Sequence, residues 1–249
     1  MLNRLVGTLV LCITATTFTA TTFTATAFTA TLCFAASGPR GVTIAYTASM
    51  NGLPIASIDE QFEAKNGTYR LESSSNPVGV LALFRKDGLK LTSSGNITGD
   101  GLQPLQFQGV RGVASEKVSA EFDWKAAKIT LTNNGQPDIQ PLSPGTQDRV
   151  SIMYQFMYLD VARRSELAFA MTNGRKLDNY RYAVTRDVEL DTPLGKLITL
   201  HLVKEREAND PVTEIWLSRD HRYLPVKVLI VENNGARYEQ MVQRVDIRP

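Results

Sequence analysis

From residue 41 onward, apolar and polar side chains alternate in short runs separated by turn-forming residues. Val42, Ile44 and Tyr46 occupy every second position, the period of a strand with one buried face. Asn51-Gly52 and Asn66-Gly67 interrupt the alternation. Both residue types adopt positive φ at low cost, which favours the tight turns whose twist suits a hairpin. Each pair therefore predicts that its flanking strands, among 42–46, 55–64 and 68–71, are antiparallel neighbours. Further strands are predicted over 89–97, 105–110, 118–124 and 129–132, divided by Asp87-Gly88, Gly99-Asp100-Gly101 and Asn133-Asn134-Gly135. The apolar run 78–84 fits either a strand buried on both faces or a short helix, because Pro77 and Gly79 disturb both patterns. Three prolines make 137–145 a loop.

After that loop the period changes. Val150, Met153, Tyr154 and Met157 recur three or four positions apart, and Tyr158 and Val161 extend the stripe. The spacing predicts one principal helix over about 147–159, with Thr146 and Asp148 as candidate helix caps. Strands return over 177–184, 188–190, 196–203, 212–217, 225–231 and 238–247, with turns at Thr192-Pro193-Leu194-Gly195 and Asn233-Asn234-Gly235.

The result is a mainly-β chain of about eleven to thirteen strands. One layer of sheet cannot hide its own apolar face. The expected architecture is therefore a single strongly curved antiparallel sheet, an open or half barrel, with the helix packed on the concave side. Met153, Phe156 and Met157 on that helix are candidates to line a ligand cavity, although core packing uses the same residue types. Trp216 joins them if its strand face, shared with Glu214, turns inward.

The N-terminus follows a different rule. Arg4 is followed by no charged residue until Arg40, and Cys33-Phe34-Ala35-Ala36-Ser37 offers a small-residue exit. These are the parts of a secretory signal. Residues 1–36 are therefore expected to be a signal peptide cleaved after Ala36, with a retained anchor as the alternative, and 37–249 a single β domain of the periplasm. Leu11 and Leu32 precede Cys12 and Cys33, which argues against lipidation. Both cysteines lie in this segment, so the mature chain has no disulfide, thiolate nucleophile or Cys-ligated metal.

Charge narrows the picture further. Removing the segment takes away one of 27 basic side chains and none of 25 acidic ones. The remaining basic residues are scattered, so no patch can neutralise a run of phosphates and nucleic acid is not an expected partner. His201 and His221 have no metal-ligand spacing, and Gly-x-Ser-x-Gly is absent. Asp148 with Ser151 reads as first-turn capping, and Glu189 with Asp191 as a wetted strand face. No catalytic residue, metal or cofactor is expected.

The order of short motifs carries a resemblance. Gln147-Asp148-Arg149-Val150-Ser151 precedes Thr192-Pro193-Leu194-Gly195, then Thr213-Glu214-Ile215-Trp216-Leu217-Ser218-Arg219-Asp220 and Tyr223-Leu224-Pro225-Val226-Lys227. Pro104-Leu105-Gln106-Phe107 and Phe122-Asp123-Trp124 occur in the first half. This pattern, over roughly 42–247, resembles the DUF3108 family of exported proteobacterial proteins. The resemblance implies a fold like that of the periplasmic lipoprotein carriers LolA and LolB, which hold acyl chains in a concave sheet. Two functions follow as expectations. One is non-catalytic binding or carriage of an acyl chain, lipoprotein or other amphipathic envelope component, with transient membrane contact. The other is a structural or assembly role beside an envelope protein partner, without a small ligand.

Overall fold

The computed structural model describes residues 38–84, 87–112 and 116–249; the expected signal segment and both cysteines lie outside them. Eight strands form the first meander: β1 (Gly41–Met50), β2 (Leu53–Lys65), β3 (Thr68–Pro77), β4 (Leu89–Thr98), β5 (Gly101–Arg111), β6 (Glu116–Asp123), β7 (Lys128–Asn133) and β8 (Gln136–Pro141). Seven follow in the second half: β9 (Gln147–Asp148), β10 (Glu166–Thr172), β11 (Leu177–Thr192), β12 (Gly195–Lys204), β13 (Val212–Ser218), β14 (Leu224–Val231) and β15 (Arg237–Arg248). All belong to one sheet, in the order β8 back to β1, then β15 back to β9. Every pairing is antiparallel except that of the two-residue β9 with β10.

Asn51 and Gly52 have φ of 51° and 81°, and Asn66 and Gly67 have 52° and 74°. Both central residues are thus left-handed, as hairpins of matching twist require, and the strands they join are paired. Asn134-Gly135 makes the same turn between β7 and β8.

Strand twist accumulates, and a sheet of fifteen strands must curl or split. This one curls without closing into a barrel. β8 and β9 stand at its two edges, yet only residues 142–146 separate them in sequence, so the two edges lie near one another. Alternate residues point inward and are buried: Val42, Ile44 and Tyr46 on β1, Phe62 on β2, Tyr69 and Leu71 on β3, Leu200 and Leu202 on β12.

Three expectations are corrected here. The predicted loop 137–145 contains strand β8, because Pro137 and Pro141 sit on an edge strand, where a missing N–H costs least. Residues 166–172 form a strand that the pattern did not suggest, and 177–184 with 188–190 form one strand broken by an irregularity between Thr185 and Val188. The strand count rises accordingly. The run 78–84 resolves into a turn and a short helix, α1 (Leu81–Phe84).

The largest correction concerns the principal helix. Of the expected span only α2 (Ser151–Gln155) is helical, five residues long, while Gln147 and Asp148 belong to β9 and residues 156–158 form a turn. The reason is that the apolar residues here do not share one face. Val150 and Tyr154 pack into a core built mainly on β1–β7 with β14 and β15, whereas Ile152 and Phe156 pack into a second core lined by β10–β13. The segment is therefore a plug held between two walls, where a helical lid was expected.

Candidate functional site

The plug is fastened to the sheet by buried polar groups. Asp148 is fully buried. Its Oδ1 accepts the backbone N–H groups of Val150 (2.9 Å) and Ser151 (2.8 Å), and its Oδ2 accepts the Ser93 hydroxyl of β4 (2.5 Å). Ser93 Oγ lies 3.0 Å from the Tyr69 hydroxyl. Gln147 Nε2 donates to Leu102 O (2.8 Å), and Gln155 Oε1 accepts from Leu102 N (2.6 Å). Both amides thus grip the start of β5. On the other side, Arg149 N donates to Thr172 O of β10 (2.9 Å).

Deeper in the interior, Glu60 of β2 accepts the Ser73 hydroxyl at Oε1 (3.0 Å) and the Tyr154 hydroxyl at Oε2 (3.1 Å). The Tyr154 ring stacks on Phe62, centroids 5.5 Å apart. Burial pushes the carboxyls of Glu60 and Asp148 above the ordinary carboxylate range, and the hydrogen bonds they accept oppose the shift.

Beside these groups lies a cavity of about 500 Å³, within the range of small-molecule sites. Both halves of the sheet line it. β2 to β4 contribute Ile58, Glu60, Leu89 and Leu91, the second half contributes Phe169, Tyr182, Ile215 and Val228, and the plug contributes Arg149, Ile152 and Met153. Its lining is more apolar than polar; Glu60, Arg149, Ser73, Ser75, Asn173, Thr213 and Gln240 supply the polar part. It lies toward the end of the sheet where β4 and β13 begin and β10 ends, since Leu89, Thr213 and Asn173 line it. The connection from β3 to β4 is at that same end, and there Val80, Leu83 and Phe84 are 71–81% exposed. A wider hollow of about 710 Å³, lined by Gln103, Leu105, Phe122 and Trp124 among others, is an open groove elsewhere on the sheet.

Of the sequence candidates, Met153 lines the cavity. Phe156 is fully buried in the second core, edge-on to Phe169 with centroids 6.2 Å apart, and does not reach it. Met157 is half-buried and packs on the first core. Trp216 faces away: Thr213 and Ile215 of its strand line the cavity, while Trp216 stacks on His201 at 4.3 Å with the Lys227 ammonium 5.0 Å from its ring. Strand alternation decides this, because Ile215 and Trp216 must point to opposite faces.

Thr146 caps no helix; its hydroxyl donates to Ser143 O (2.7 Å). Asp148 is two residues too early to be the formal cap of α2, yet its carboxylate satisfies the N–H groups that open it. Glu60 and Arg149 are cavity-lining residues outside the set expected from the sequence. A signal for Glu60 existed, since Ile58, Glu60 and Phe62 share an apolar strand face. Arg149 stands beside the buried Asp148 and carried no comparable mark.

Neither histidine lines the cavity. His201 Nε2 is 2.7 Å from Glu214, and His221 Nδ1 is 2.8 Å from the Ser218 hydroxyl. Ser218 is fully buried at the end of β13, so its oxygen is not presented to a substrate. Among the described residues, no group of three His, Cys, Asp or Glu side chains could hold a metal ion, and no helix is long and apolar enough to cross a membrane.

The sequence profile of a family described as a protein of unknown function (DUF3108) matches residues 45–242. No curated protein matches the chain. Among solved structures, it is similar to the crystal structure of a beta-barrel-like protein of domain of unknown function DUF1849 from Brucella abortus. The TM-score is 0.57 at 9% identity, covering 85% of this chain and 99% of that one. The likeness is one of fold.

Proposed function

The chain belongs to the DUF3108 family, and from that premise and the geometry of its interior we propose that it is a non-catalytic periplasmic protein that binds or carries an apolar or amphipathic ligand, an acyl chain above all. The cavity between the plug and the two halves of the sheet carries this reading. Its apolar walls accept a hydrocarbon chain, and its polar side chains, Glu60 and Arg149 among them, orient one end. The likeness to LolA and LolB implied by the sequence motifs supports the same use, as does the secretory pattern of residues 1–36. Exposed Val80, Leu83 and Phe84 stand at the end of the sheet toward which the cavity lies, which suits exchange of a hydrophobic ligand at a membrane surface.

The test is lipid extraction from gently purified protein followed by mass spectrometry, paired with titration of an environment-sensitive fluorescent fatty acid. An acyl-bearing compound should co-purify, and the probe should bind. Met153→Trp, which places a larger side chain in the cavity, should weaken probe binding by about tenfold or more (~1.4 kcal/mol), with the fold retained by circular dichroism. An empty extract together with no probe binding would leave the assembly-partner role in its place.

A further inference from the structure

The reading of the cavity as an amphiphile site leaves the ligand's polar end unspecified, and the environment of Arg149 supplies it. We propose that the ligand is a single-chain amphiphile with an anionic headgroup, a carboxylate or a phosphate, and that Arg149 is the residue that pairs with that headgroup.

Arg149 is held in place by its own backbone and by its neighbour. Its N–H is bonded to Thr172 O, and the carboxylate of Asp148 is bonded to Ser93, Val150 and Ser151. The Arg149 side chain lines both the 500 Å³ cavity and an adjoining pocket of about 130 Å³, and the two share Leu89, Leu91 and Asn173. The guanidinium therefore stands at the junction between an apolar chamber and a smaller polar one.

Its partners decide the argument. Among the described residues, the Arg149 guanidinium makes no hydrogen bond or ion pair, and the residue is exposed, so its donors are open to a ligand. Glu60 is close enough to attract it, but both Glu60 oxygens are already engaged by Ser73 and Tyr154. Arg111 and Arg175 line the small pocket too. Each has interactions of its own, and both add to the positive potential at the junction. A planar guanidinium with unused donors, beside a second and third arginine, matches the paired oxygens of a carboxylate or phosphate. The apolar walls beyond Arg149 accept the chain.

The experiment measures displacement of a fluorescent fatty acid from the purified protein by palmitate, palmitoyl lysophosphatidate and monopalmitoylglycerol. These share one chain and differ in headgroup: carboxylate, phosphate and neutral glycerol. Both anionic ligands, or one of them, should bind about 10- to 100-fold tighter than the neutral one, the range of charge-assisted hydrogen bonds. The tighter of the two identifies the headgroup. In Arg149→Met the preference should vanish while monopalmitoylglycerol binds within about twofold of wild type. The melting temperature should change little, because the replaced side chain is exposed and holds no hydrogen bond or ion pair among the described residues. Arg149→Lys should keep part of the preference. Equal binding of all three ligands by wild type, or a preference that survives Arg149→Met, overturns the headgroup assignment and leaves the cavity reading standing. Failure of all three to bind overturns both.

Discussion

Asp148→Ala is expected to lower folding stability by about 4 kcal/mol, whereas Asp148→Asn should lower it by about 1 kcal/mol or less. The difference follows from counting donors. Alanine strands the N–H groups of Val150 and Ser151 and the hydroxyl of Ser93, each a buried donor whose loss of a partner costs about 1–3 kcal/mol before water compensates. Asparagine keeps the oxygen that receives both N–H groups. Its amide then donates to Ser93 Oγ, and Ser93 turns its hydrogen toward the Tyr69 hydroxyl, 3.0 Å away, so the chain of bonds reverses without a break. Urea midpoints with an unchanged slope would give these values. Equal losses for the two variants would show that the network does not hold the plug.

The pH dependence has a defined sign. Burial raises the Asp148 carboxyl above its unfolded value, so between those two values the folded state binds more protons than the unfolded chain. Stability from this group therefore increases as pH falls from the folded value to the unfolded one of about 3.9, and is constant below it. Glu60 acts in the same direction. Asp148→Asn should flatten the rise, and adding Glu60→Gln should flatten it further.

The second large effect falls on Tyr154. Tyr154→Ala should cost about 4 kcal/mol, in the range measured for buried aromatics, because the ring is fully buried and stacks on Phe62 of β2. Tyr154→Phe keeps the stacking and removes only the bond to Glu60 Oε2. It should cost about 1–2 kcal/mol and push the Glu60 carboxyl further up, which steepens the gain of stability on acidification. Thermal melts across pH separate the two contributions. A Phe variant as unstable as the Ala variant would mean that the hydroxyl, and not the ring, dominates.

How much of this was legible in the sequence depends on how local the cause is. Asn51-Gly52 and Asn66-Gly67 act through their own φ angles, so turn, register and strand partners could be read directly. The plug could not be read so. Its three- and four-residue spacing is real, but a helix is expected only when the apolar residues serve one surface. Here Val150 and Tyr154 serve one wall while Ile152 and Phe156 serve another, and only tertiary structure supplies two walls. Pro137 and Pro141 misled for a related reason, since an edge strand tolerates them and edge position is not written locally. The candidate site divides in the same way. Met153 could be chosen by residue type, Trp216 depended on an undetermined strand face, and Arg149 gains its meaning only from the strands that surround it.

The ordering of the strands bears on how the domain folds. β1 and β15 pair over ten positions, from Gly41 with Arg248 to Met50 with Tyr238, at the centre of the sheet. All other antiparallel pairs join strands consecutive in the chain. Each meander can zip up from its turns with small loops to close. Joining the two cannot be made local by any order of assembly, because its partners lie almost a whole domain apart in sequence. Non-local pairing of this kind is what slows β-proteins. The kinetic bottleneck thus sits at the geometric middle of the sheet, while its open edges, β8 and β9, are separated by only a few residues of chain.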